Sequence, residues 1–147
     1  MSVVTHSTHQ RPVRVFISHS DFDLVLARKM RNLLSQRANV QVFMAEDLNA
    51  AERWETKLRH ELASADVVLA LLTPGSVDSR WVLHEVGAAW ALGKPIIPVV
   101  TRRDVLNRMP VPLEGTEVIE LTDIESAQNA DGFVWAFENS LTNAHLA

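Results

Sequence analysis

The sequence has no cysteine among its 147 residues, which excludes disulfides, iron–sulfur clusters and thiolate zinc sites and favours a reducing compartment. It has no excess of basic residues, since 14 Lys and Arg stand against 18 Asp and Glu, so neither nucleic acid nor an anionic membrane is an expected partner. Its longest uninterrupted apolar run, Val67–Leu72, is far shorter than the ~20 residues of a membrane span. We therefore expect a soluble, cytoplasmic protein.

Glycine is also scarce. Five scattered glycines complete neither of the common phosphate-binding loops, nor the G-x-S-x-G turn of serine hydrolases. The six histidines show no paired ligand spacing and no HExxH motif, so no metal site is expected. The common nucleotide-loop, serine hydrolase and metalloprotease classes are thereby excluded.

What the sequence does contain is enough apolar material for one domain, with 47% hydrophobic and 22% charged residues. Residues 1–12 are polar and lack the apolar stretch of a signal peptide, so they are expected to be a flexible N-terminal segment, and residues 13–147 the folded domain.

Short apolar runs alternate with amphipathic segments along the chain. Alternation of this kind predicts an α/β fold with a parallel sheet and helices on both faces. Ligands of such sheets bind beyond the carboxyl ends of the strands. The predicted strands are Val13–Ser18, Val40–Met44, Val67–Leu72, Pro95–Val100 and Val118–Leu121. The predicted helices run from Asp21 to near Arg37, around Trp54–Leu62, from Ser79 to Leu92, and over Phe133–Leu141.

One pair of side chains stands out in the third helix. Trp81 and Glu85 are four residues apart, so the indole and the carboxylate project side by side on one helix face. They border the core stripe of the helix, where a cleft can open. The alternative is a surface glutamate packed against a half-buried tryptophan.

Several motifs in order resemble a bacterial Toll/interleukin receptor (TIR) domain. They are VFISHSDFD at Val15–Asp23, the acidic loop that leads to Trp54, ADVVLALLTPGSVDSRWVLHE at Ala65–Glu85, and GKPIIPV at Gly93–Val99. The resemblance covers roughly Val13–Val100. It implies a flavodoxin-like three-layer sandwich whose five-stranded parallel sheet has the order 2-1-3-4-5.

Many TIR domains cleave NAD⁺, and by motif position the resemblance places the catalytic glutamate at Glu85. It also implies substrate-binding roles for Trp81, for His19 and Ser20 after the first strand, and for Asp47 and Trp54 after the second. NAD⁺ would be the substrate, with no separate cofactor, and catalysis would require self-association of TIR domains. The second-strand loop departs from the family pattern, which usually has a proline or glycine before the aromatic position. Here the sequence before Trp54 reads Asn49-Ala50-Ala51-Glu52-Arg53.

Each of these residues has a plainer interpretation. Trp54 is otherwise a core anchor, and Asp47 a turn residue that caps a helix. His19 and Ser20 would then only satisfy backbone groups at a strand end.

A single carboxylate suffices for this chemistry, because the nicotinamide nitrogen is already cationic and leaves as a neutral base. Ordinary glycoside hydrolysis instead needs a second carboxyl group as general acid. We therefore expect an NAD⁺ nucleosidase that makes ADP-ribose or a cyclic isomer in bacterial anti-phage defence, with a downstream effector that senses the product. The alternatives are a non-enzymatic TIR adaptor that acts by homotypic association, and a relative of the nucleoside deoxyribosyltransferases.

Overall fold

The structure is a computed structural model, in which residues 11–45, 54–110, 113 and 116–146 are described. Its strands are β1 (Val13–Ser18), β2 (Val40–Met44), β3 (Val67–Leu72), β4 (Ile96–Val100) and β5 (Ile119–Glu120). Its helices are α1 (Leu24–Arg37), α2 (Trp54–Ser64), α3 (Arg80–Ala91) and α4 (Ala127–Asn143). The first helix was predicted to begin at Asp21, but Asp21–Asp23 forms a 3₁₀ turn and α1 begins at Leu24. A second 3₁₀ turn, Arg103–Arg108, was not predicted from the sequence.

All strand pairs are parallel, and the sheet order is β2-β1-β3-β4-β5. This confirms the flavodoxin-like order that the resemblance implied. The chain leaves β1 in one direction to form β2 and returns on the other side of β1 to form β3. The order therefore reverses beside β1, and a crevice opens at the carboxyl end of the strands at such a point.

The pleat of β3 divides the core into two layers, because alternate side chains point to opposite faces of a sheet. Leu69 and Leu71 belong to the cluster that packs against α1 and α4. Ala70 and Leu72 contact α3 on the other face, and Val68 contacts both α2 and α3. All six residues of β3 are buried, as expected for the central strand of a sheet covered on both faces.

The ends of α3 lie at the predicted bounds, between a capping serine and a glycine. The Ser79 hydroxyl accepts a hydrogen bond from the backbone N–H of Val82 and caps the first turn. Gly93 has a φ of 72°, the left-handed conformation that ends a helix and that glycine adopts without strain.

Two further boundaries differ from the prediction. The fifth strand has two residues, Ile119–Glu120, because it pairs only with the last two residues of β4. The last helix begins at Ala127, earlier than predicted, because the Ser126 side chain caps it by accepting from the N–H of Asn129. Within the described residues, no helix combines the length and the apolar character needed to cross a bilayer.

We predict that Leu69→Ala lowers the free energy of unfolding by about 2–5 kcal/mol, because Leu69 is fully buried at the centre of the sheet. The matched control is Leu83→Ala on α3, where the side chain is 40% exposed and the expected loss is below about 1 kcal/mol. Urea unfolding of both variants checks this. Equal losses would contradict the assignment of β3 as the core strand.

Candidate active site

A cleft opens at the carboxyl end of β1, where the order of the sheet reverses. Its volume is about 420 Å³. It lies between the loop that follows β1, the end of β2 and the first turn of α3. The described residues that line it are His19, Asp21, Leu24, Ala45, Ser79 and Trp81.

The register between β1 and α3 explains how Glu85 reaches this end of the sheet. Two residues along a strand advance ~6.6 Å, and four residues along a helix advance ~6 Å, so equivalent side chains stay opposite each other. Phe16 packs in the same cluster as Ala89. One step further toward the carboxyl end, Ser18 meets Glu85. One more helical turn places Trp81 beyond the end of the strand, at the cleft.

Glu85 is fully buried. The Ser18 hydroxyl donates a hydrogen bond of 2.7 Å to Glu85 Oε1, whereas Oε2 has no hydrogen-bond partner among the described residues. Burial raises the pKa of Glu85 to about 8, and the hydrogen bond from Ser18 acts in the opposite direction. The carboxyl group of the empty site is therefore mostly protonated at neutral pH.

The position of Glu85 differs from the one expected from the helical pattern. The pattern placed Glu85 beside Trp81 at the border of the core, but the structure buries the carboxyl group between α3 and the sheet. The reason is that α3 packs with Val82, Glu85, Val86 and Ala89 all turned inward. Trp81 is only partly buried and lines the cleft. Glu85 is not among the described residues that line it.

His19 lines the cleft and is 5% exposed. Its Nδ1 atom lies 2.9 Å from the backbone carbonyl oxygen of Ser20. Because a carbonyl oxygen only accepts hydrogen bonds, Nδ1 holds the hydrogen of this contact. Nε2 is buried and has no hydrogen-bond partner in the described part of the chain. Two buried polar atoms, His19 Nε2 at the cleft and Glu85 Oε2 one helical turn from Trp81, thus lack a hydrogen-bond partner among the described residues.

A second polar network joins the loop after β1 to the loop after β3. Asp23 accepts from the Thr73 hydroxyl at 3.1 and 3.0 Å and from the Ser20 hydroxyl at 3.3 Å. Ser76 Oγ accepts from the backbone N–H of Thr73 at 3.0 Å. Sequence analysis did not identify Asp23 or Thr73 as site residues. A sequence signal for this network did exist. Asp23 follows β1 and Thr73 follows β3, and the carboxyl ends of these neighbouring parallel strands lie at the same edge of the sheet.

The other predicted site residues are placed as follows. Ser20 is buried within the Asp23 network and is not among the described residues that line the cleft. Asp47 lies outside the described residues. Trp54 is the first residue of α2, and only its backbone is described. Across the described ranges, no three His, Asp or Glu side chains come together as a metal site would need.

We predict that Glu85→Gln is more stable than the wild type at about pH 8, by up to ~4 kcal/mol, and that the difference vanishes near pH 4.5. The pKa of Glu85 is raised from 4.5 to about 8 on folding, so the folded protein binds this proton more tightly than the unfolded chain. Its contribution to stability is therefore lost as the pH rises through that window. Glutamine cannot ionise and has no such loss.

Urea unfolding at several pH values measures the difference. The control is Glu138→Gln on the exposed side of α4, which should follow the wild type at each pH. If Glu85→Gln and the wild type showed the same pH dependence, Glu85 would not be a buried group with a raised pKa.

Known proteins similar to this chain indicate its family and its fold. The family model of the TIR domain matches residues 15–133. A search of curated proteins finds no match. Among solved structures, a metazoan TIR-STING receptor from C. gigas in complex with 2′,3′-cGAMP has a TM-score of 0.68 at 24% identity. The match covers 83% of this chain and 38% of the receptor, so the chain spans well under half of the receptor's length.

Two further structures share the fold. The TIR domains of the activated Roq1 resistosome match with a TM-score of 0.55 at 13% identity, covering 90% of this chain and 74% of that chain. A 2-desoxiribosyltransferase from Leishmania mexicana matches with a TM-score of 0.55 at 19% identity, covering 83% and 96%. At these identities the likeness concerns the fold. The family model matches most of the chain, and the chain therefore belongs to the TIR domain family.

Proposed function

We propose that this TIR domain is an NAD⁺ nucleosidase that cleaves the bond between nicotinamide and ribose, with Glu85 as its catalytic residue. The proposal is supported mainly by one observation. Glu85 is a buried carboxyl group with one oxygen held by Ser18 and the other without a partner among the described residues. It lies one helical turn from Trp81, which lines the cleft.

The chemistry requires stabilisation of positive charge. Nicotinamide leaves as a neutral base, so the charge that develops in the transition state is on the ribose. A carboxylate in a water-excluded site stabilises such charge more strongly than one in water. Water attacking the anomeric carbon gives ADP-ribose, nicotinamide and a proton. An adenine nitrogen or a ribose hydroxyl of the same molecule gives a cyclic isomer instead.

Substrate binding supplies the charge that ionises Glu85. The carboxyl group of the empty site is mostly protonated at neutral pH, because burial disfavours its charged form. A nearby cationic nicotinamide ring favours the carboxylate, so binding of NAD⁺ releases the proton. The site then holds a carboxylate only when an opposite charge is present beside it.

The other groups at the cleft position the substrate. The Trp81 indole offers an aromatic face to the cationic ring, an interaction worth ~0.5–2 kcal/mol. Nε2 of His19 is available to bind a hydroxyl or amide group of the substrate. The cleft also borders the first turn of α3, and the positive end of a helix dipole favours a pyrophosphate.

Self-association fits the closed state of the site. In the single chain Glu85 has no exposed surface, so a substrate reaches it only after neighbouring groups move. We propose that association of TIR domains opens and completes this pocket, with Asp47 contributed from the segment after β2 and Trp54 from the start of α2. The product would serve bacterial anti-phage defence as a signal for a downstream effector in the cytoplasm.

The same burial favours one alternative, a non-enzymatic TIR adaptor that works by homotypic association, because an adaptor has no need of an accessible carboxylate. A deoxyribosyltransferase activity is a further candidate, since one structure with the same fold has that name. The first experiment must therefore separate NAD⁺ cleavage from nucleoside chemistry and from association without catalysis.

We predict that concentrated wild-type protein releases nicotinamide from NAD⁺ and that Glu85→Gln lowers this rate by at least ~10²-fold, because the glutamine cannot supply the negative charge. Chromatography of nicotinamide and of the adenine-containing products measures both the rate and the choice between hydrolysis and cyclisation. Glu138→Gln, on the helix across the sheet from α3, should retain the wild-type rate.

Full turnover by a folded Glu85→Gln variant would reject Glu85 as the catalytic residue. If the wild type is inactive even with a crowding agent that forces assembly, and a second TIR domain is bound, the adaptor interpretation replaces the enzyme. Base exchange on deoxynucleosides without action on NAD⁺ would indicate the transferase.

We also predict that the pH profiles of kcat/KM and kcat differ. The ratio kcat/KM reports the free enzyme, so it should fall about tenfold per pH unit below a midpoint near the pKa of about 8. The profile of kcat reports the substrate complex, where the cationic ring favours the carboxylate, so its midpoint should lie at lower pH. Steady-state kinetics from about pH 6 to about pH 9 measure both. A constant kcat/KM over that range would contradict the role of Glu85.

A further inference from the structure

We propose that Ser18 is a positioning residue for Glu85: its hydroxyl occupies Oε1, fixes the plane of the carboxyl group and leaves Oε2 as the oxygen that meets the substrate. The inference rests on the proposed function for its catalytic consequence. The contact itself does not depend on that function, and it can be measured without NAD⁺.

The hydrogen bond is short and fully enclosed. Ser18 and Glu85 are both fully buried, and the distance from Ser18 Oγ to Glu85 Oε1 is 2.7 Å. This length is typical of a hydroxyl that donates to a carboxyl oxygen. It joins the last residue of β1 to the middle of α3, the two elements between which the carboxyl group lies. A side chain with no exposed surface and one such bond has little freedom to rotate.

The position of Ser18 in the strand makes the hydroxyl unusual. Ser18 points to the same face of the sheet as Phe16, and its register partner on β3 is the buried Ala70. An apolar side chain would fit this environment, and a buried hydroxyl is unfavourable unless it is hydrogen-bonded. The hydroxyl therefore has one specific partner, which is the carboxyl group proposed to act on the substrate.

The two carboxyl oxygens of Glu85 have different roles because they have different hydrogen-bond partners. Oε1 accepts a hydrogen bond from the Ser18 hydroxyl, and Oε2 has no hydrogen-bond partner in the described part of the chain. A ribose hydroxyl is a suitable donor for Oε2. Without Ser18, both oxygens would be equivalent, and the carboxyl group could turn the wrong edge toward the substrate.

The other titratable and charged groups on or next to these two elements are Arg14 on β1, His19, Asp21 and Asp23 after β1, and Arg80 and His84 on α3. His19 Nδ1 is bound to the Ser20 carbonyl group, and Asp23 is bound to Thr73. The influences on the pKa of Glu85 are burial, which raises it, and the Ser18 hydrogen bond, which lowers it. Removal of the hydroxyl should therefore change the titration of Glu85 in one direction.

The test is Ser18→Ala, which deletes the hydroxyl with almost no change of shape. We expect the titration midpoint of the Glu85 carboxyl carbon, followed by ¹³C NMR and assigned with Glu85→Gln, to move to higher pH. We expect kcat/KM at about pH 7 to fall about tenfold or more, because the variant lacks one charge-assisted hydrogen bond to the carboxylate. The pH below which kcat/KM decreases should rise together with the NMR midpoint.

Two further variants separate positioning from structural support. Ser18→Thr keeps the hydroxyl and should restore the wild-type midpoint. Ser76→Ala removes an equally buried serine hydroxyl that is bonded to Thr73, and it should leave the midpoint of Glu85 unchanged. The proposal would be overturned by a folded Ser18→Ala protein that loses stability but has the wild-type titration midpoint of Glu85 and the wild-type pH dependence of kcat/KM.

The two proposals fail in different ways. If no variant acts on NAD⁺, the proposed function is lost, yet the NMR midpoint still shows whether Ser18 controls Glu85. If the wild type cleaves NAD⁺ and Glu85→Gln does not, while Ser18→Ala behaves as the wild type in rate and titration, the function stands and the positioning role is rejected.

Discussion

The carboxyl group of Glu85 lies in the apolar layer between α3 and the sheet, held by one hydrogen bond from Ser18. Most of the features of the site depend on this arrangement. It requires that α3 lie on the sheet with Glu85 opposite Ser18. Phe16 and Ala89 then pack together two residues earlier in β1 and one turn later in α3, and Trp81 lies one turn earlier in α3, at the cleft. A displacement of α3 by one residue would turn Glu85 away from Ser18, because successive helical positions point about 100° apart.

The surrounding core must tolerate a group that opposes folding at neutral and alkaline pH. A buried carboxyl group without a cationic partner is unfavourable in its charged form, which is why its pKa is raised. The fully buried β3, covered on both faces, supplies the compensating apolar contacts. The ends of β1 and β3 are also tied together by the bonds of Asp23 to Ser20 and Thr73. This edge of the sheet is therefore stabilised by polar contacts that do not involve Glu85.

Much of the fold could be predicted from the sequence, because the pattern of apolar residues is a local property. The strands β1, β2 and β3 and the ends of α3 follow from runs such as Val67–Leu72 and from Ser79 and Gly93. The strand order came from the resemblance, since local patterns do not encode which strands pair. The ends of β5 and α4 were missed because they depend on contacts with β4 and on a serine cap.

The candidate site was predicted less completely. The resemblance predicted Glu85, Trp81 and His19 as site residues. Trp81 and His19 line the cleft, and Glu85 lies one helical turn from Trp81. The sequence could not show that Glu85 is fully buried, because burial of one helix face depends on how α3 packs on the sheet. Nor could it show the role of Ser18, which is 67 residues away from its partner. Long-range contacts of this kind follow from strand register, which a single sequence does not reveal.

For the proposed function, a carboxyl group that is neutral without substrate resolves a conflict between stability and catalysis. A permanently ionised carboxylate at this position would weaken the fold in the absence of substrate, whereas a protonated one is tolerated by an apolar environment. In the proposed reaction, the cationic ring of NAD⁺ favours the carboxylate, so the negative charge forms in the substrate complex. In this scheme Ser18 has a second use, because a donor on Oε1 favours the ionised form and reduces the charge that the substrate alone must supply. Under this proposal, the raised pKa of Glu85 and its hydrogen bond from Ser18 act together: burial keeps the carboxyl group neutral without substrate, and the hydrogen bond keeps it close to ionisation.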